Sequence, residues 1–285
     1  MKLNLVTVVG DFHKDLTLTH MLRFYEKHVD EIYINYYRTE ECAGTRDQLV
    51  EFLQNSEVYF PNVRIILHEG TKYDWDRVTN IYNNTTSLDK NAYWIISDCD
   101  EFQYWPESPR IVAMECERRG CTFVTGGFLD RVGPGGVFPE ISGDSDLDQT
   151  FPLVGFFRYP ISGACPNKVV MVKGGQKVCS GQHYAIFPDG SNSWGSEHPL
   201  RFPIDECFVQ VHHFKWDSSI LSRLDEVSKS GCKYSEEYLR MINGIRDSKH
   251  INVKDLKYFM EEFDPELGYD SYRHWNKVRN IIVKI

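Results

Sequence analysis

The sequence has no apolar run near the ~20 residues that cross a bilayer, and it has no C-x-x-C pair, internal repeat or low-complexity linker. A membrane-spanning helix and a repeat array are thereby excluded as readings. It also lacks a basic excess: 32 Lys+Arg stand against 41 Asp+Glu, a formal net charge of −9. No sequence-wide positive field exists to attract a nucleic-acid backbone or an anionic membrane. Met1 to Gly10 is a short apolar run that leads straight into Asp11, without the small-residue cleavage site of a signal peptide, and reads as a first buried strand. The 8 cysteines sit beside apolar residues inside predicted elements. They read as buried free thiols in a reducing, cytoplasmic compartment rather than as a disulfide framework.

What is present suits a compact globule. The 285 residues are 41% hydrophobic and 14% aromatic, with a mean hydropathy of −0.43 that reads as soluble. Single cores stop growing near ~250–300 residues, so one large α/β unit accounts for the length. Leu3–Val9 reads as a strand, and Leu16 to His28 carries Leu18, Met21, Leu22 and Tyr25 at helical spacing. A strand at Ile32–Ile34, a helix through Gln48–Leu53, a strand at Val63–Leu67, a helix over Trp75–Leu88 and a strand at Ala92–Ser97 follow. This alternation signals βαβ units and a parallel sheet, with ligands bound beyond the carboxyl ends of its strands.

After about residue 120 the rhythm changes to short β segments broken by Gly and Pro: Thr122–Thr125, Phe151–Tyr159, Lys168–Val172, Val178–Tyr184 and Phe208–His213. The stretch Gly133–Gln149 has no apolar periodicity and reads as a long surface loop. From Asp217 the pattern is helical again through Leu224, Tyr238–Ile245, Val253–Phe263 and Trp275–Val283. The expected division is a catalytic domain over 1–216, with halves 1–102 and 103–216, and a helical C-terminal extension over 217–285.

The stretch Tyr93-Trp94-Ile95-Ile96-Ser97-Asp98-Cys99-Asp100-Glu101-Phe102 is an apolar strand that delivers acidic side chains at its carboxyl end. Mg2+ and Mn2+ take oxygen ligands, usually one or two carboxylates plus substrate phosphates. Asp98 and Asp100 fall on one side of an extended backbone and can face one ion, while Glu101 points elsewhere to orient a neighbouring group. The competing reading is an acidic turn or helix N-cap. The βα elements that precede the stretch favour the metal.

Strand-Asp-x-Asp at this place resembles the DxD motif of GT-A fold glycosyltransferases, and Trp94 to Phe102 is similar to the local form in family 2-like and family 92-like enzymes. Asp76-Arg77-Val78-Thr79-Asn80 resembles the Arg-x-x-Asn segment that opens the preceding helix. Asn167-Lys168-Val169-Val170-Met171-Val172 resembles the family's K-x-I-V-R strand, which is followed by a His, here His183. His212-His213-Phe214-Lys215-Trp216 is similar to the N-H-Y-x-x-K/R-S element that closes over the donor diphosphate. The resemblance spans residues 3–230 in the expected order.

It implies a GT-A, Rossmann-like fold, an α/β mixed sheet flanked by helices with a helical C-terminal tail. It also implies a metal-dependent glycosyltransferase that moves a sugar from a nucleotide-diphosphate donor, a UDP-sugar first among them, to a glycan or other hydroxyl acceptor with inversion. Mn2+ or Mg2+ would serve as Lewis acid on the leaving diphosphate. Asp98, Asp100 and His213 are then the metal ligands, with His212 as the rival of His213. Arg77, Asn80, Asp98, Lys168 and Lys215 bind the donor, and His183 lies near the sugar or acceptor. Inversion needs a general base, for which Asp130 is the candidate and Asp217 and Glu101 the alternatives. The competing reading of Asp130 is a surface pair with Arg131.

One departure is the second strand, Ile34-Asn35-Tyr36-Tyr37-Arg38, which lacks the acidic residue that reads the uracil or ribose in many family 2 enzymes. An asparagine there can still hydrogen-bond a base edge, and a tyrosine can stack, which leaves the identity of the nucleotide open. Two other readings remain: a sugar nucleotidyltransferase, disfavoured by a Gly10–Asp15 loop short of glycine and arginine, and a nucleotide-sugar or carbohydrate-binding module without turnover.

Overall fold

The computed structural model describes all residues except 11–16, 41–50, 52–54, 56–59, 143, 194–197 and 247. The expected helix through Gln48–Leu53 apart from Glu51, the start of the first helix at Leu16, the loop over Asp11–Asp15 and Cys42 lie outside the described residues.

In chain order the elements are β1 (Leu3–Gly10), α1 (Leu18–Tyr25), β2 (Glu31–Thr39), β3 (Val63–Gly70), α2 (Trp75–Thr86), β4 (Tyr93–Ile96), β5 (Glu101–Tyr104), α3 (Pro109–Arg119) and β6 (Phe123–Val132). There follow α4 (Leu147–Thr150), β7 (Leu153–Gly155), α5 (Arg158–Ser162), β8 (Asn167–Lys173), β9 (Lys177–Val178), β10 (Ala185–Ile186) and β11 (Val209–His213). The chain ends with α6 (Ile220–Lys229), α7 (Ser235–Ile245), β12 (Glu261–Glu262) and α8 (Trp275–Ile282). This is a mixed α/β sheet with helices, the class expected from the sequence.

The chain divides into two compact units, residues 1–126 with 168–209, and residues 127–167 with 210–285. In the first, β3, β2, β1 and β4 pair in parallel, and β8 joins β4 antiparallel. Every residue of β1 is buried, Asn4 and Thr7 included, as its predominantly apolar run predicts for a strand covered on both faces. Its Val6 and Val8 meet Val78, Ile81 and Tyr82 of α2 in one cluster with Trp94, Ile96, Val169 and Val172. The spacing of 78, 81 and 82 puts those side chains on one helical stripe. Asp74 caps α2 by accepting from the backbone N–H groups of Asp76 and Arg77 at 2.8 and 3.1 Å, satisfying donors the helix cannot.

In the second unit, β7 pairs antiparallel with the end of β6 and with β12. Trp216 sits in a cluster with Phe157, Ile220, Leu224, Met241, Ile242 and Ile245, so the apolar stripes of α6 and α7 close on one indole.

Several segments differ from the sequence reading. Phe151–Tyr159 is not one strand, because the chain leaves β7 at Gly155 and turns into α5. A Cβ at Gly155 would come within 2.0 Å of the Met260 sulfur. Pro160 fits the first turn of α5, where a missing N–H costs nothing. Val253–Phe263 forms a single 3-10 turn over Leu256–Tyr258 and then β12 rather than an α-helix. Gly133–Gln149 contains a 3-10 turn at Pro134–Gly136 and the start of α4. The strand expected at Thr122–Thr125 runs on to Val132 and carries Asp130.

None of the seven described cysteines forms a disulfide. Among the described residues no helix is long and apolar enough to cross a membrane.

Candidate functional site

The parallel strands of the first unit share one carboxyl edge, and β4 delivers Asp98 to it. There the chain makes a tight turn in which the Glu101 N–H donates to the Asp98 carbonyl at 3.0 Å. Asp98 and Asp100 stay partly exposed around a buried Cys99. The backbone that carries them is a turn rather than the extended strand expected from the sequence.

Asp98 is held from both sides. The Tyr82 hydroxyl donates to Oδ1 at 2.5 Å and accepts the Val8 N–H at 3.1 Å. Burial, reinforced by Asp98, pushes the Tyr82 phenol well above its ordinary value, so it stays protonated and donating. The Lys168 ammonium lies 3.6 Å from Asp98 Oδ2, and that carboxylate keeps 41% of its side chain exposed. Lys168 itself is 1% exposed. It donates to Glu101 Oε1 at 2.7 Å and to Gln182 Oε1 at 2.6 Å, so its charge sits beneath the turn.

Glu101 Oε2 accepts the Asp98 N–H at 3.2 Å. Glu101 therefore does orient its neighbours. Burial raises its carboxyl above the usual range, with Asp98 and Asp100 adding to this and Lys168 opposing it. Burial likewise works against the charge on Lys168, but Asp98 and Glu101 outweigh it and hold the ammonium above its ordinary value. Below the turn, Ser97 Oγ donates to the Glu101 carbonyl at 2.7 Å, and Tyr25 accepts the Gln103 N–H at 3.0 Å.

Gln182 has a backbone φ of 54°, in the left-handed region that non-glycine residues rarely adopt. It places His183 next in the chain, partly exposed. Arg77 and Asn80 are exposed on α2. The Arg77 guanidinium donates to the Glu69 carbonyl and lies 5.4 Å from the Tyr37 ring centre. Asn35 is not at a strand tip. It is fully buried in the middle of β2, where its Oδ1 meets His68 at 2.9 Å and Thr85 at 3.0 Å, so it reads no base.

The remaining candidates belong to the second unit. Asp130 is 1% exposed; Oδ1 accepts the Trp216 indole N–H at 2.8 Å and Oδ2 the Arg158 N–H at 3.0 Å. Arg131 is not its surface partner. It is fully buried and donates to the Phe151 carbonyl, His212 Nδ1 and Asp148 at 2.9, 3.1 and 2.8 Å. That leaves His212 a structural acceptor, with Nε2 3.2 Å from Gln210. His213 is buried with its ring 5.3 Å from that of Phe128. The Lys215 ammonium lies 5.6 and 5.3 Å from the Trp216 and Tyr238 ring centres.

A hard cation needs oxygen donors with open space beside them. Asp98 and Asp100 meet that need, while no group of three or more His, Cys, Asp and Glu gathers among the described residues. The donor set fits a divalent ion as two carboxylates completed by phosphate oxygens and water.

Sequence reasoning missed Tyr82 and Gln182. Tyr82 reads as one more apolar position on the buried stripe of α2, and a left-handed glutamine leaves no sequence signal.

No protein-family model and no curated protein sequence matches the chain. Similar solved structures include GalNAc-T7 with UDP, GalNAc and Mn2+, at 11% identity over 74% of this chain and 43% of that one, with a TM-score of 0.39. Mannose-6-phosphate isomerase from Helicobacter pylori is 12% identical over 61% of this chain and 72% of that one, TM-score 0.34. 4-Diphosphocytidyl-2C-methyl-D-erythritol synthase is 14% identical over 61% and 76%, TM-score 0.33. Likeness at this level assigns neither a substrate nor an activity to the chain.

Proposed function

We propose that the chain is a glycosyltransferase of GT-A type that binds a nucleoside-diphosphate sugar at the carboxyl edge of β4 and passes the sugar to an acceptor hydroxyl. The observation that carries this reading is Asp98: a part-exposed carboxylate at a parallel-sheet edge, oriented by Tyr82 and backed by a buried Lys168. Parallel sheets bind ligands at that edge, and a DxD pair there is the donor set a phosphate-bound cation uses.

In this reading Asp98 and Asp100 hold Mn2+ or Mg2+, which when bound supplies Lewis-acid stabilisation of the leaving diphosphate. Tyr82 and the Glu101 turn fix the Asp98 carboxylate so that no reorganisation is needed as charge develops. Arg77 and Asn80, exposed on one face of α2, offer donors to the nucleotide, and His183 stands as the candidate for the sugar side. Lys168 acts on Asp98 from below. Asp130 enters as the anchor of Trp216 and Arg158 rather than as the proton acceptor, because at 1% exposure it is withdrawn from any acceptor hydroxyl arriving from solvent.

A thermal-shift series with UDP, GDP and dTDP, each with and without Mn2+, tests the reading, since a ligand selective for the folded state raises its apparent stability. A metal-dependent shift with one nucleotide is expected, and loss of that shift in Asp98→Asn. No shift with any nucleotide removes the proposal. Pyrophosphate release from a nucleoside triphosphate and a sugar phosphate would instead establish a nucleotidyltransferase.

A further inference from the structure

We propose that Glu101 is a positioning residue that keeps Asp98 open by holding the Lys168 ammonium away from it. An ammonium has three donors. Two are spent on Glu101 Oε1 at 2.7 Å and Gln182 Oε1 at 2.6 Å. The Asp98 carboxylate stays 3.6 Å away, beyond the ~3.2 Å of a direct hydrogen bond. The shorter contact therefore joins the two buried charges of the three, 1% and 2% exposed, and the part-exposed carboxylate is left facing solvent.

The arrangement is held at three points. Glu101 is fixed to the Asp98 turn through its Oε2. Gln182 accepts from the ammonium at 2.6 Å. The Lys168 backbone is anchored in β8, while its long side chain can reach either carboxylate. Without the Glu101 charge, the buried ammonium has every electrostatic reason to close on Asp98, because a buried charge stripped of its partner is strongly destabilised. Closure would turn a 3.6 Å ion pair into a direct hydrogen bond that occupies the Asp98 oxygen a cation would use. The consequence for cation binding rests on the reading of Asp98 given above; the geometric consequence does not.

The test compares wild type, Glu101→Gln, Lys168→Met and the double variant Glu101→Gln/Lys168→Met, by metal-free crystal structures and by Mn2+ titration followed by electron paramagnetic resonance in the presence of UDP. In Glu101→Gln the Lys168–Asp98 contact is expected to close to hydrogen-bond distance, and Mn2+ affinity to fall at least about tenfold. The double variant, with no ammonium to capture Asp98, is expected to recover affinity to within about threefold of wild type. An unchanged gap in Glu101→Gln, or a double variant as weak as the single one, overturns the inference. A gap that closes in a protein whose wild type binds no Mn2+ with UDP leaves the role of Glu101 standing and removes the metal reading. If Glu101→Gln does not fold, Glu101→Asp, which keeps the charge but shortens its reach to Lys168, decides: a Lys168–Asp98 contact that closes to hydrogen-bond distance supports the inference, and an unchanged gap overturns it.

Discussion

The indole N–H of Trp216 donates to Oδ1 of Asp130 at 2.8 Å, and both side chains are withdrawn from solvent. The other oxygen accepts the first backbone N–H of α5. A carboxylate so engaged ties the end of β6 to a helix start and to the core of α6 and α7.

Trp216→Phe keeps a buried aromatic ring, removes the donor and gives up part of the indole's volume. A stability loss of about 1–3 kcal/mol is expected, the cost of leaving a buried acceptor unpaired, read by urea unfolding. Activity per folded molecule should be retained, which separates a structural carboxylate from a catalytic one.

Tyr82→Phe preserves the packing of α2 on β1 and deletes the hydroxyl that donates to Asp98 and accepts the Val8 N–H. A stability loss of about 1–3 kcal/mol is expected from the stranded backbone donor, and the thermal shift given by nucleotide plus Mn2+, measured relative to the variant's own melting temperature, should shrink markedly. An undiminished shift would show that Asp98 orients itself.

His212 gives a pH signature. Burial, with Arg131 adding to it, holds this imidazole well below the usual 6.5. In the unfolded chain it takes up a proton as pH falls below that value, while in the folded protein it does not, so the unfolded state binds more protons and stability falls on acidification. The group's contribution is intact above the unfolded value and is lost progressively from about pH 6.5 down toward the depressed folded one, at up to about 1.4 kcal/mol per pH unit. Denaturant unfolding between pH 7.5 and 5 measures the slope. His212→Gln should flatten it.

Gly126→Ala probes a close strand approach. A Cβ there would lie 2.3 Å from the Val209 carbonyl oxygen, and backbone cannot swing aside as a side chain can. Destabilisation of about 1–3 kcal/mol or more is expected, visible as a lowered melting temperature.

The first half of the fold was legible because its code is local. The mostly apolar β1, the helical stripe of α2 and the acidic end of β4 each report their own state through local pattern. The second half was less so: whether Phe151–Tyr159 stays a strand depends on Met260 approaching Gly155 from more than a hundred positions away. At the site, the pattern picked out Asp98, Asp100 and Lys168 but not what Lys168 does. A basic residue on a strand reads as surface charge or phosphate ligand, and only Glu101 and Gln182, distant in sequence, commit it to the interior. His212 and Arg131 show the same limit, since two polar residues on paired strands give no warning that they satisfy one another in the core.

The buried Lys168 contacts also define a search pattern. A lysine 67 positions after the motif glutamate and 14 positions before a glutamine is a constraint that reaches far along the sequence yet involves few letters. Chains sharing the acidic turn but lacking that lysine and glutamine would be grouped apart, because their first aspartate would answer to a different internal counter-charge. Such a filter can sort distant relatives where overall identity no longer discriminates.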